Sequence, residues 1–204
     1  MSYNARGLND SVKRKEVFYW LKNKQAHIIF LQETHSTKET EHLWFADWDG
    51  DIIFSHGTSQ ARGTAILFSR STPKSLNQSF IDKNGRYIVL DTDINGLKLT
   101  LCNIYAPNDD DSEFFIDVIQ TIEAVPNDHR IIGGDFNLVL DLDMDKLGGA
   151  KTTHFKSQCA IKSYMEETDM VDIWRQQHSN DKKFTWIRRN PNLIFCRLDF
   201  FLVF

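Results

Sequence analysis

Two acidic residues in this chain close apolar runs that lie far apart in sequence. Leu31-Gln32-Glu33-Thr34-His35 ends the first run, and Gly133-Gly134-Asp135-Phe136-Asn137 follows Ile131-Ile132 in the second. The paired glycines let the backbone take conformations other residues avoid, and let a ligand or metal approach closely. Carboxylates raised on strand ends are suited to holding a hard cation against a phosphate, the chemistry of a magnesium-dependent phosphodiesterase. Such hydrolysis needs a cation on the phosphate oxygens, a group that aims a water, and a group that stabilises the leaving oxygen.

Asn4, Glu33, Tyr105, Asp135, Asn137, Thr185 and Asp199 are the candidates for those tasks. Glu33 is the natural metal ligand, because magnesium takes only one or two carboxylates and keeps several waters. The alternative is a solvated glutamate opening a loop. Asp135 and Asn137 sit two apart, so in an extended segment both point one way, one aiming the water and the other holding a phosphate oxygen or the aspartate. Gly-Gly-Asp and Asn also suit a plain turn. Tyr105 precedes Ala106-Pro107 and could donate to phosphate, or simply pack. Asn4 alone is a weak signal. Asp199 lies within Leu198-Asp199-Phe200-Phe201, where a carboxylate needs a partner, and is either functional or a cap on a loop amide.

Other polar clusters point elsewhere. Asp141, Asp143 and Asp145 resemble the start of a calcium loop, but the required glycine and twelfth-position glutamate are not in place, so a solvated loop is expected. The seven histidines form no zinc pattern, and no GxSxG elbow exists. Lys182-Lys183 and Arg188-Arg189 flank Phe184-Thr185-Trp186. Basic residues around an aromatic strand can hold a nucleic-acid backbone, or form an ordinary solvated hairpin, and both readings stand.

The elements that must position these residues follow from apolar periodicity. Helices are expected over 12–23, with Val17, Trp20, Leu21 and Lys24 on one face, and over 112–122 and 155–167. A capping box of Ser36 with Glu39 opens a short helix through His42 and Phe45. Strands are expected over 28–31, 52–54, 64–68, 86–94, 97–104, 131–132, 184–187 and 195–203. Asn95-Gly96 is a type I′ hairpin signal between two of them. Hairpins mixed with strand–helix–strand units give an α/β layered fold, two packed sheets with helices on their outer faces.

The 204 residues bound this to one domain, 41% hydrophobic and 12% aromatic, a globular composition. A net charge of −4 does not suit a generic polyanion binder, although a local basic patch would suffice for nucleic acid. Cys102, Cys159 and Cys196 lack CxxC spacing and read as reduced thiols of an intracellular protein. No apolar run approaches the ~18 residues of a membrane span, and no targeting signal is visible.

Taken in order, Asn4-Ala5-Arg6-Gly7-Leu8, Leu31-Gln32-Glu33-Thr34-His35, Asn103-Ile104-Tyr105-Ala106-Pro107, Gly133-Gly134-Asp135-Phe136-Asn137, Phe184-Thr185-Trp186 and Arg197-Leu198-Asp199 form a specific set. The chain resembles, over its whole length, the endonuclease/exonuclease/phosphatase superfamily. It looks most like the endonuclease domain of LINE-type non-LTR retrotransposon polyproteins. The resemblance implies a four-layer α/β sandwich and a phosphodiesterase using Mg2+, with Mn2+ as a substitute. It implies that Glu33, helped by Asn4, holds the metal and that Asp135 aligns or deprotonates the water. Asn137 and Tyr105 would contact the scissile phosphate, Asp199 would orient a catalytic partner, and Thr185 would touch DNA beside Lys182, Arg188 and Arg189. The implied partners are DNA and a reverse transcriptase domain in the parent polyprotein, with nuclear access to target DNA and no membrane.

Members of that superfamily close with Ser-Asp-His, whose histidine contacts the phosphate; no such motif follows Asp199 before Phe204. Arg6 stands where many members have Asp or Asn. The expectation is therefore a domain with its first strand clipped and last strand or strands missing, nicking DNA to leave a 3′-hydroxyl primer but impaired. A catalytically inactive remnant that binds DNA or a partner is the alternative, and a phosphomonoesterase of the same superfamily a third.

Overall fold

A computed structural model describes residues 1–150 and 154–204. In chain order the elements are β1 (Ser2–Asn4), α1 (Ser11–Asn23), β2 (Ile28–Gln32), a 3-10 turn (Lys38–Thr40), α2 (Glu41–Asp47), β3 (Asp51–Ser55) and β4 (Thr64–Phe68). Next come β5 (Lys74–Ile81), β6 (Tyr87–Ile94), β7 (Leu97–Tyr105), α3 (Ser112–Glu123), β8 (His129–Asp135) and β9 (Lys146–Leu147). Then follow α4 (Phe155–Glu167), β10 (Val171–Asp172), α5 (Ile173–Gln177), β11 (Trp186–Arg188), β12 (Ile194–Cys196) and β13 (Asp199–Val203).

Among the described residues three sheets result: four strands in the order β1-β2-β4-β3, six in the order β10-β13-β8-β7-β6-β5, and a small sheet β11-β12-β9. Period-two alternation sorts the strand side chains into layers. On β2, Ile29 and Leu31 face outward and join Phe18 and Leu21 of α1, Trp44 of α2 and Trp48 just after it. Phe30 faces the other way and meets Ile66, Phe68, Ile88, Leu90, Leu99 and Leu101 between the two large sheets. Cys102, Ile104, Ile132, Phe200 and Leu202 cover the outer face of the six-stranded sheet under Phe115, Val118, Ile122 and Ile161 of α3 and α4. Helix, sheet, sheet, helix: this is a four-layer α/β sandwich, and each large buried side chain contributes about 1.5–3 kcal/mol.

The helices start where their sequences provide caps. Asp10 accepts the Lys13 amide at 2.7 Å and Asp111 accepts the Phe114 amide at 3.1 Å. Asn95 and Gly96, both with φ > 0, turn β6 into β7.

Several local expectations are corrected. The buried face of α1 is Arg14, Phe18 and Leu21, spaced i, i+4, i+7, whereas Trp20 stays 39% exposed and touches only the edge, tilted against Tyr3 with centroids 5.2 Å apart. The capping box before α2 is Thr37 with Thr40, not Ser36 with Glu39; Ser36 is buried instead, its hydroxyl bonded to Thr34 and His56. No strand is expected over 74–81, yet the edge strand β5 forms there with both faces largely exposed, so it lacks the apolar alternation that would mark it. The apolar run 195–203 is two strands in two sheets, broken at Arg197-Leu198.

The acidic tract explains that break. Asp145 is not solvated but 1% exposed, and it accepts Arg197 Nε at 2.7 Å and Nη2 at 2.9 Å. Arg175 donates to the same carboxylate, and Arg197 also reaches Asp172 at 2.5 Å. A buried guanidinium demands paired acceptors, so the chain turns where Arg197 finds them.

Candidate active site

The strand ends that carry the candidates converge from both large sheets. Asn4 closes β1, and Glu33 follows β2. Tyr105 and Asp135 end the parallel neighbours β7 and β8 and face each other in register. One amide joins the two sheets: Asn4 Nδ2 donates to Glu33 Oε1 and to Asp135 Oδ2, both at 2.9 Å. The Tyr105 hydroxyl donates to Glu33 Oε1 at 3.1 Å.

The glycines before Asp135 serve close contact, and Gly134 also a backbone angle that other residues avoid. A Cβ on Gly134, whose φ is +137°, would lie 2.0 Å from the Ile104 carbonyl oxygen. A Cβ on Gly133 would lie 2.4 Å from the Phe201 ring. Any side chain at either position pushes β8 away from its neighbours and moves Asp135.

Backbone strain gathers here. Glu33 (φ 49°), Arg6 (φ 49°) and Asn137 (φ 50°) all adopt the left-handed region. Asparagine tolerates it, but for Glu and Arg it costs roughly 1–2 kcal/mol. The loops are over-determined: the Gly7 amide donates to the Glu33 carbonyl at 2.6 Å, and the Thr34 amide to Gly63 at 2.9 Å. The turn at Glu33 swings its carboxylate over the end of the sandwich instead of leaving it on the outer face.

Asn137 takes the turn alternative. It is not extended after Asp135. Its backbone N–H donates to Asp135 Oδ1 at 3.0 Å, and its side-chain amide donates to the Ala106 carbonyl at 2.8 Å. Asp135 is thereby held by two donors, one on each oxygen.

Electrostatics set the site apart. Burial, and then the Asp199 charge, push the Asp135 acid up to about 7, against the pull of Asn4 and the Asn137 amide. Asp199 lies opposite Asp135 across β8 and β13, and burial raises it too, while Thr185 and Arg6 draw it down. Burial, then Glu33, raise the Tyr105 phenol to about 12, so it stays a donor at neutral pH.

Thr185 is exposed, but its oxygen is occupied: it accepts the amides of Leu198 at 3.0 Å and Asp199 at 3.2 Å. A cleft of about 440 Å³ runs from Tyr3, Asn4, Arg6 and Lys13 across Asp135 and Asp199 to Thr185 and Trp186. Lys182, Arg188 and Arg189 are exposed on the neighbouring hairpin, outside that lining; Lys182 Nζ donates to the Asp143 carbonyl at 2.7 Å. Arg86 had no signal in sequence beyond opening a strand, yet its guanidinium lies 4.9 Å over the Tyr105 ring and donates to the Ala106 carbonyl at 3.2 Å. Lys13 was equally silent, and its ammonium donates to the carbonyls of Ala5 and Arg6 at 2.9 and 2.8 Å.

The donor set fits a hard divalent cation. Both hydrogen bonds to Glu33 fall on Oε1, leaving Oε2 for a metal. Asp135 lies beside it, bonded to the same Asn4 amide, with Asp199 opposite Asp135 on the next strand. Among the described residues no three His, Cys, Asp or Glu side chains form a metal cage, and magnesium, which keeps most of its waters, needs none.

The model of the endonuclease/exonuclease/phosphatase family matches residues 1–204. The chain belongs to that family. The Xenopus laevis protein described as "Transposon TX1 uncharacterized 149 kDa protein" is 30% identical over 201 residues, 96% of this chain. This chain spans only 15% of that relative's length. Among solved structures, the AP endonuclease LMAP of Leishmania major superimposes with a TM-score of 0.78 at 18% identity, covering 99% of this chain and 77% of that one. An AP endonuclease from Archaeoglobus fulgidus gives 0.74 at 20% identity, covering 99% and 84%. At such identities these two show a shared fold.

Proposed function

We propose that this chain is a magnesium-dependent DNA phosphodiesterase of the retrotransposon type, nicking one strand to leave a 3′-hydroxyl. The observation that carries the reading is the Asn4 amide held at 2.9 Å from both Glu33 and Asp135. It brings a metal-ligand candidate from one sheet beside a base candidate from the other.

Each residue then has a task. Glu33, with Asn4, would hold Mg2+, or Mn2+ in its place, and the cation would supply charge neutralisation and Lewis acidity at the phosphate. Asp135, raised to about 7 by burial and Asp199, is poised to take the proton of an attacking water near neutral pH. The water oxygen bonds to phosphorus as the bond to O3′ breaks, and O3′ leaves as a hydroxyl once protonated. Tyr105 remains protonated and can donate to a phosphate oxygen. Asn137 holds Asp135 through its backbone amide and can release its side chain toward phosphate. Asp199 keeps Asp135 basic, and Thr185 in the cleft wall, with Lys182, Arg188 and Arg189 exposed on the neighbouring hairpin, would contact the DNA backbone.

The transposon relative supports a parent polyprotein in which a reverse transcriptase domain would extend the freed 3′-hydroxyl, and that task calls for access to nuclear DNA. Among the described residues no helix is long and apolar enough to cross a membrane.

Supercoiled plasmid with magnesium tests the reading, beside a chelator control and Glu33→Ala. Open-circle product that disappears in both controls is expected; Glu33→Ala that nicks like the wild type overturns the assignment.

A further inference from the structure

The site is assembled from two sheets that share no backbone ladder, so its geometry depends on how they lie against each other. Most of the surface between them is apolar, built by Phe30, Ile66, Phe68, Ile88, Leu90, Leu99 and Leu101. Apolar contact is non-directional and sets no register by itself. Alternation along β7 puts Asn103 after Leu99 and Leu101 on that inner side, and alternation along β2 puts Gln32 after Phe30. Both are fully buried, at 0% exposure.

These two amides bond to each other across the gap. Gln32 Nε2 donates to Asn103 Oδ1 at 2.7 Å. Asn103 Nδ2, on the six-stranded sheet, donates to the carbonyls of Leu31 at 3.0 Å and Ala65 at 2.9 Å, both on the four-stranded sheet. Ser2 on β1 shares the Gln32 amide, with contacts of 3.0 and 3.2 Å. One side chain thus meets β2 and β4 at once, and the cluster extends to β1. Hydrogen bonds of this length lose strength quickly when displaced or tilted, so they fix an offset that apolar packing leaves soft.

The placement matters. Gln32 immediately precedes Glu33. Asn103 lies two residues before Tyr105 and pairs in register with Gly133, itself two residues before Asp135. We infer that Gln32 and Asn103 are positioning residues, an inter-sheet clamp that sets the spacing of Glu33 and Asn4 on one sheet to Tyr105 and Asp135 on the other. The inference rests on the phosphodiesterase reading above. Burying satisfied amides is close to neutral in stability against apolar groups of similar shape, so stability alone gives little reason for them here. Misplacement of reacting groups by about 1 Å can cost about 10²-fold in rate, and this is the quantity the clamp protects.

The test is the double variant Gln32→Leu/Asn103→Leu, compared with wild type for cooperative unfolding, nicking kinetics and the magnesium-induced rise in Tm. A folded double variant should lose about 10- to 100-fold in kcat with KM for DNA nearly unchanged. Its magnesium-induced Tm rise should also shrink, a readout independent of turnover. If the double variant does not fold, Gln32→Met alone decides, because it leaves the Asn103 bonds to Leu31 and Ala65 intact. A folded variant with wild-type kcat and wild-type magnesium response overturns the clamp alone. A wild type with neither nicking nor a magnesium response overturns the phosphodiesterase reading and the clamp with it.

Discussion

Asp199 stands directly opposite Asp135 on one rung of the β8–β13 ladder, so two carboxyls share a partly buried position. Side chains so paired lie roughly 5 Å apart at Cβ, and like charges there oppose each other. Burial and this neighbour raise Asp135 to about 7.

Metal-free stability should therefore depend on pH. The folded acid holds its proton up to about 7, whereas an unfolded aspartate releases it near ~3.9. The favourable contribution is complete below the unfolded value and is lost as pH rises through the folded one. With a chelator present, Tm should fall between pH 5 and pH 8, and magnesium should raise Tm more at pH 8 than at pH 5. A chelated Tm that is flat over this range contradicts the burial of a paired acid.

Asp145→Ala should destabilise the fold without touching Glu33, Asp135 or Asp199. It leaves Arg197, 3% exposed, and the partly buried Arg175 without their shared acceptor. Removing one partner of a buried pair costs about 3–5 kcal/mol, read from urea denaturation. Asp145→Leu combined with Arg197→Met should recover only part of the loss, since Arg175 and the buried Asp172 then each lose a charged partner. Equal loss in the single and double variants would mean that packing, not pairing, is what Asp145 supplies.

Arg188→Gln and Arg189→Gln should weaken DNA binding about equally across sequences. Both side chains are exposed, so folding should be unaffected. Each lost phosphate contact should reduce the slope of log affinity against log salt by about 1, measured by fluorescence anisotropy. An unchanged slope in both variants would assign the hairpin to solvent rather than DNA.

Much of the fold was legible because its signals are local. Asn95-Gly96 marked a hairpin, and apolar runs ending in Glu33 and Asp135 marked strands with a carboxylate at the tip, whereas Gly133-Gly134, read as room for a ligand or metal, meets Ile104 and Phe201 of the neighbouring strands. Alternation on β2 and β7 already separates inner from outer side chains. The same local rules misplaced Trp20, read Asp145 as solvated and joined 195–203 into one strand. Each of those depends on a partner distant in sequence: the open edge beside β1 for Trp20, and Arg197 for the other two.

The sequence by itself determined the residue types of the site and the strands that carry them, because hydrophobic period and turn chemistry act over a few residues. Only the tertiary structure decided that Asn4 bridges Glu33 and Asp135, that Asn137 turns back to hold Asp135, and that Arg86 lies over Tyr105. It also decided that Gln32 meets Asn103 across the sandwich. Those relationships join residues that packing of the two sheets brings together, and hydrogen-bond geometry and burial have no counterpart in linear spacing.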